Sequence, residues 1–216
     1  MSKRGDKRRN IAGKSIYSVG STAPLVLLFI AILNPVYAKG TEMGETETAG
    51  LVKLGEKSLT LVGSPLQIGQ KLSDAVVVDQ EMGEVNLSSF FGRILIISTV
   101  PSLDTPVCSA QTRRFNQEAA SLGQDVTILT ISNDLPFAQK RFCAAEGIDQ
   151  VKVLSDYRGQ KFGRSVGLFV RETYLLARAV LVVNRGGVVS YVQIVPNLGE
   201  EPNYEPVLEA AKELIK

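Results

Sequence analysis

The sequence predicts an α/β fold, a central mixed sheet flanked by helices, and three observations carry that expectation. Apolar, β-branched runs of strand length recur at residues 94–100, 125–131 and 177–183. The first two are each followed by a stretch that opens on a proline, Pro106 or Pro136, and closes on a glycine, Gly123 or Gly147. Those are helix start and stop signals. The third run meets the turn Asn184-Arg185-Gly186-Gly187 and a further alternating segment, 188–194, which predicts a hairpin. Strands alternating with helices need a sheet whose faces the helices cover.

Composition narrows the chemistry. The 216 residues carry a formal net charge of +2, too balanced to point to nucleic acid. Much of the positive excess lies before Lys14, outside the predicted fold. The chain has no histidine, which excludes a Ser-His-Asp triad, a Cys-His pair and the usual catalytic zinc site. Two cysteines cannot form a four-cysteine zinc site. A cysteine nucleophile in this chain must therefore be activated by arginine, lysine or a helix end.

In chain order, residues 1–22 are basic and polar, 23–33 are apolar, and Val36-Tyr37-Ala38 offers a small residue for cleavage. That order is the order of a secretory signal peptide, so 1–38 reads as a signal peptide or an N-terminal extension. The apolar run is short for a membrane span of about 20 residues. Arg8-Arg9 suggests a twin-arginine signal, although residues 10–12 fit it poorly. Export would make the protein periplasmic or secreted; an uncleaved anchor or a misplaced start codon, leaving it cytoplasmic, is the alternative. Residues 39–50 read as a linker and 51–216 as the folded domain.

Within that domain, 51–62 is predicted as a β-hairpin around Gly55-Glu56-Lys57-Ser58, 65–72 as a loop and 75–79 as a short strand. Residues 86–92 read as a turn before the strand at 94–100, and a helix follows from Pro106 to near Gly123. After the strand at 125–131, Asn133-Asp134 is expected to cap a helix over 137–146. A strand at 151–154 and a helical stretch at 159–166 come next, and 171–176 reads as irregular or the start of a strand. Glu200-Glu201-Pro202 is expected to open a last helix through Ile215. The pattern β-α-β-α-β-α-β-β-α is that of a thioredoxin-like sheet with an N-terminal hairpin added.

Cys108 falls in the first turn of the helix after the central strand. Thr105 suits the N-cap and Pro106 the first helical position. Free backbone N–H groups and the helix dipole there favour an anion, and the thiolate is the reactive form of cysteine. The stretch therefore reads as a device that holds a cysteine deprotonated and exposed; the alternative is a small apolar side chain packed inside. Arg178 interrupts the apolar run 175–183, where a guanidinium is costly unless paired. Its partner is expected to be the Cys108 thiolate, or else solvent or a structural carboxylate at a strand edge. Its fork could hold a ligand oxygen at the same time. Cys143, on the next helix, is a buried filler, half of a structural disulfide, or a thiol that attacks oxidised Cys108. If the two cysteines face opposite sides of a strand, their Cα atoms exceed the ~7 Å reach of a disulfide, and pairing needs local unwinding.

These residues match a family pattern. Pro101-Ser102-Leu103-Asp104-Thr105-Pro106-Val107-Cys108 resembles the Pro-x-x-x-Thr-x-x-Cys signature of peroxiredoxins, in the Ser-x-Asp-Thr-x-x-Cys form of the thiol peroxidase branch. The segment from Asp134 to Gly147 resembles that branch's second-cysteine segment, and Leu176-Ala177-Arg178-Ala179-Val180 its arginine strand. The resemblance covers about Leu51 to Lys216. It implies that Cys108 attacks the peroxide bond, that Thr105 and Arg178 bind the reacting atoms, and that Pro101 shields them. It also implies that Cys143 resolves the sulfenic acid as an intramolecular disulfide, which a thioredoxin-like reductant reopens. No cofactor and no metal are implied; a hydroperoxide substrate and a homodimer are. No nucleic acid and no stable membrane association of the mature domain are expected. Pro106 departs from the commonest form of the loop and would stiffen it, and the N-terminal extension is a second departure. The rivals are a general thiol–disulfide oxidoreductase, weakened because Thr105 stands where a Cys-x-x-Cys motif needs a second cysteine, and an exported binding domain with a structural disulfide.

Overall fold

The computed structural model describes residues 45–216. The predicted signal peptide or extension, 1–38, and residues 39–44 of the predicted linker lie outside the described residues. The chain starts with a hairpin of β1 (Glu47–Leu54) and β2 (Lys57–Val62), then forms β3 (Val76–Val78) and β4 (Glu84–Asn86). A 3₁₀ turn at Leu87–Phe90 leads into β5 (Ile94–Thr99), α1 (Pro106–Leu122), β6 (Val126–Ser132), α2 (Pro136–Glu146) and β7 (Lys152–Ser155). After α3 (Lys161–Ser165) come β8 (Phe169–Val170), β9 (Leu175–Leu176), β10 (Ala179–Val183), β11 (Val189–Ile194) and α4 (Tyr204–Ile215).

Seven strands form the main sheet in the order β11-β10-β5-β6-β7-β3-β4. β5, β6 and β7 run parallel, and β10 and β3 join antiparallel on either side, so the sheet is mixed. All residues of β5 and β6 are buried, which is why their sequences are nearly continuous apolar runs instead of alternating ones. Successive side chains nevertheless divide between two cores. Ile94, Ile96, Val126, Ile128, Val180 and Val182 pack with residues of α1, α2 and α4; Leu95, Ile97, Leu129, Ile131 and Leu181 pack on the opposite face. The crossovers β5-α1-β6 and β6-α2-β7 step in the same direction along the sheet. Right-handed connections then put both helices, and both cysteines, on one face.

The opposite face departs from the expectation of helices alone. It is covered by α3 together with a second sheet, ordered β1-β2-β8-β9. β8 and β9 have two residues each, too few for a periodic signal. The hairpin also begins at Glu47, inside the stretch read as linker. Glu47–Ala49 pair with Thr60–Val62 through the backbone, and a bulge at Gly50 restores the register before Val52. An exposed edge strand needs no apolar pattern, so its polar residues hide it. α3 cannot reach back to 159 because Gln160 is left-handed, φ 54°. The α3 turn packs tightly on the end of β2: a Cβ at Gly63 would lie 1.8 Å from the Arg164 carbonyl oxygen, and one at Gly167 would lie 2.4 Å from Pro65 N. α4 starts at Tyr204, where Asn203 accepts from Glu205 N–H at 3.3 Å, and not at Glu200.

Asp156, 1% exposed, closes β7 against α3 by accepting from the N–H groups of Phe162 (3.0 Å) and Gly163 (2.7 Å). Burial outweighs these bonds and raises its carboxyl from 3.8 to about 6. A raised value means that the folded state holds the proton more tightly than the unfolded chain. The stability that proton binding contributes is complete below pH 4 and is lost as pH rises through about 6. Urea titrations should therefore show the native protein losing about 3 kcal/mol relative to Asp156→Asn between about pH 3 and about pH 8, most of it between the two pKa values. Parallel pH profiles of the two proteins would contradict the assignment.

Candidate active site

β5 and β10 are antiparallel neighbours, with Thr99 opposite Ala179. The chain leaving β5 and the chain entering β10 therefore meet at one end of the sheet. Val100 extends the sheet by donating to the Ile131 carbonyl at 3.1 Å, and the chain then turns through 101–104 into α1. Thr105 occupies the N-cap position in extended conformation, as expected, but its side chain does not cap. Its hydroxyl donates to the Ser102 carbonyl at 2.9 Å. Pro106 stands at the first helical position, where no N–H partner is needed.

Cys108 lies in that first turn and is completely buried, so the expectation of an exposed thiol is corrected. It sits on the face of α1 turned to the sheet, in the core that includes Val100, Leu103 and Phe115. Arg178, itself 1% exposed, donates from Nη2 to the Cys108 sulfur at 3.2 Å. The same guanidinium donates from Nη1 to Gln111 Oε1 at 2.5 Å, and from Nε (3.1 Å) and Nη2 (2.8 Å) to the Leu198 carbonyl. These acceptors are neutral. Among the described residues no carboxylate forms an ion pair with Arg178. The guanidinium charge is therefore met only by neutral carbonyl and amide oxygens and by the Cys108 sulfur.

Arg178 is not inside β10, as the apolar run suggests, but in the break Ala177-Arg178 where the chain passes from the small sheet to the main one. Thr99 Oγ1 bonds the carbonyls on both sides of the break, Ala177 at 2.7 Å and Ala179 at 3.2 Å. The small sheet supports the arginine from its other side. Lys53 at the end of β1 donates to the Pro196 carbonyl and accepts from Leu198 N–H, which holds the Leu198 carbonyl toward Arg178. Gln111 was missed in the sequence. It is fully buried, three residues after Cys108 on the same helix face, and also donates to Ser98 Oγ at 2.7 Å. A buried glutamine is polar enough to pass for a surface residue, and only the i, i+3 spacing from Cys108 hinted at it.

A cavity of about 270 Å³ opens beside the 101–107 segment that precedes Cys108, with Arg178, the partner of the sulfur, on its wall. Leu54, Pro101, Thr105, Val107, Leu175 and Leu198 form most of the rest, so it is largely apolar. A larger cavity of about 510 Å³ lies between α1 and the start of α4, lined by Arg114, Tyr204 and Lys212, and holds no cysteine. Of these two, the smaller one reaches the group that touches Cys108. Among the described residues no cluster of three or more His, Cys, Asp or Glu could hold a metal, and no helix is long and apolar enough to cross a membrane.

Cys143 is buried, 7% exposed, in the middle of α2 and on the same face of the sheet as Cys108. Both are free thiols. Gln80, in the turn between β3 and β4, donates to the Cys143 sulfur at 3.3 Å, and Glu81 beside it pairs with Lys140 of α2 at 3.3 Å. Burial pushes the Cys143 thiol up, and the Gln80 amide opposes this with a smaller effect.

The fold and the site define a thioredoxin-like protein with an arginine-held thiol at the start of a helix. Residues 67–208 match the Redoxin family. The thiol peroxidase of Bacillus subtilis (strain 168) is 49% identical over 158 residues, 73% of this chain and 94% of that protein. That of Streptococcus pneumoniae (strain ATCC BAA-255 / R6) is 46% identical over 156 residues, 72% of this chain and 95% of that protein. The crystal structure of a peroxiredoxin-like protein from Aquifex aeolicus superposes with a TM-score of 0.72 at 41% identity, covering 77% of this chain and 98% of that one. The chain belongs to the Redoxin family, and its likeness is to the thiol peroxidases within it.

In a Cys108→Ser protein, alkylation of Cys143 should rise at a higher pH than for an unfolded cysteine, and Gln80→Leu should move the profile higher still. A profile like that of the unfolded chain, measured by mass, would refute the effect of burial.

Proposed function

We propose that this protein is a thiol peroxidase that reduces hydroperoxides through Cys108. The observation that carries this reading is the buried Arg178 guanidinium, held by neutral acceptors and pointed at the Cys108 sulfur at 3.2 Å. The thiolate attacks the terminal oxygen of ROOH. The S–O bond forms, the O–O bond breaks, and the alkoxide leaves with a proton as the alcohol, or as water from hydrogen peroxide. Cys108 becomes a sulfenic acid. Arg178 donates to sulfur and to the developing oxyanion, a preorganised charge that needs no rearrangement. The Thr105 hydroxyl spends its proton on the Ser102 carbonyl, so its lone pairs face the pocket as acceptors for the peroxide O–H. Pro101 and the leucines of the wall keep bulk water off the sulfur.

The cavity of about 270 Å³ has room for several waters at about 30 Å³ each, so an alkyl group fits where hydrogen peroxide leaves space. Organic hydroperoxides are therefore the better substrates in this reading. Cys143 then attacks the sulfenic sulfur to give the intramolecular disulfide, and a thioredoxin-like dithiol reopens it. The exposed Leu135, Phe137 and Tyr174 suit a homodimer contact. The basic, apolar and small-residue order of 1–38 suits export. Recovery of the full-length chain from the cytoplasm, uncleaved after Ala38, would count against export.

One equivalent of cumene hydroperoxide added to the reduced protein should be consumed within minutes. The mass should fall by two hydrogens, with Cys108 and Cys143 joined in the peptide map. Cys108→Ser should leave the peroxide untouched, and Arg178→Met should slow consumption by about 100-fold or more. Wild-type protein that leaves the peroxide intact would remove the peroxidase assignment.

A further inference from the structure

Asn133-Asp134 was expected to cap α2, but the N-cap position belongs to Leu135 and Asp134 does not cap. Its carboxylate turns across to the loop that carries Cys108. Oδ1 accepts from Ser102 Oγ at 2.7 Å; Oδ2 accepts from Leu103 N–H at 2.8 Å and from Ser132 Oγ at 2.8 Å. Its own backbone is tied to the sheet: the carbonyl accepts from Ser155 Oγ at 2.5 Å, and the N–H donates to Ser132 Oγ at 3.3 Å. Ser102 in turn accepts from Thr105 through its carbonyl. One carboxylate thus joins the residue just before the Cys143 helix to the loop just before the Cys108 helix.

That placement matters because both cysteines are buried inside helices as free thiols. Their sulfurs are also held at different places across the sheet, Cys108 by Arg178 beside β10 and Cys143 by Gln80 just after β3, with β5, β6 and β7 between those two strands. A bond between them therefore requires at least one sulfur to leave its position. The first turn of α1 is the short route, and it unwinds only if the loop 101–104 lets go. Leu103, 2% exposed in the same core as Cys108, is held by the Asp134 bond at its N–H. We propose that Asp134 is a positioning residue, a latch between the two cysteine segments that holds α1 wound and limits the rate at which oxidised Cys108 joins Cys143. This rests on the two-cysteine cycle above. In the step it limits, the Cys143 thiolate forms the S–S bond, the sulfenic S–O bond breaks, and hydroxide leaves with a proton as water. In the competing step, a second ROOH oxidises the sulfenate to sulfinate and departs as ROH.

The test uses the full chain and follows disulfide formation after one equivalent of cumene hydroperoxide, by acid quench and intact mass. The first-order rate of this intramolecular step does not depend on peroxide concentration. Asp134→Asn puts donors where donors point and should raise that rate about tenfold, the effect of one charge-assisted hydrogen bond. It should also lower the sulfinic fraction formed in excess peroxide. Ser102→Ala removes one of the two bonds between Asp134 and the loop, together with the 3.4 Å bond that Ser102 Oγ accepts from Asp104 N–H, and leaves Asp134 on the sheet; it should raise the rate about threefold and keeps the test open if Asp134→Asn does not fold. Asp156→Asn, a buried carboxylate on the other face, controls for general destabilisation and should leave the rate unchanged. Unchanged or slower disulfide formation in the latch variants overturns the proposal, as does equal acceleration by Asp156→Asn. A wild-type protein that consumes peroxide without forming the disulfide overturns the cycle itself, and the latch with it.

Discussion

The contact between the buried Arg178 guanidinium and the Cys108 sulfur is the constraint on which the site depends. A charge that cannot lose its proton has been taken out of water and given only neutral acceptors, Gln111 and the Leu198 carbonyl. The guanidinium is thereby held in one orientation, with an N–H directed at the sulfur of a completely buried cysteine, and the proposed reaction at Cys108 rests on that geometry.

Much of the fold acts to maintain that contact. The antiparallel pairing of β10 with β5 brings the residue before Ala179 next to the turn after Thr99. Thr99 occupies the carbonyls on either side of Arg178. The N-terminal hairpin, by its length an accessory, reaches the 196–198 loop through Lys53 and so fixes the carbonyl that orients the guanidinium. Leu54 of the same strand lines the cavity. The small sheet is therefore part of the active site's support and of its walls.

The second cysteine is organised by different means. α2 carries Cys143 on the same face as Cys108, gripped by Gln80 and Glu81 from one side and preceded by Asp134 on the other. Burial keeps Cys143 in its thiol form, a weak nucleophile, while Asp134 holds the loop before α1. In the proposed cycle such packing would suit peroxide binding at a fixed pocket, and joining the two sulfurs would require part of it to yield. The polar bonds at Ser102, Leu103 and Asp134 are local and partly buried, and each is small enough to break without unfolding the sheet.

The alternating β and α elements, the first-turn position of Cys108 and the family are legible in the sequence alone, which also marks Pro101, Thr105, Cys143 and Arg178 as candidates. These are local signals: hydrophobic period, proline and glycine punctuation, and short motifs of fixed spacing. Tertiary structure decided what no local pattern encodes. Cys108 is buried because the face of α1 that carries it packs on β5. Arg178 stands in a break between two sheets, visible only once two-residue strands pair with distant partners. Glu47–Ala49 form a strand because β2 offers them backbone partners, whatever their side chains. Gln111 and Asp134 look like ordinary polar residues of a helix and a cap. They acquire their roles because hydrogen bonds to residues 67 and about 31 positions away in the chain satisfy them at the site, and such partners exist only after the chain has folded.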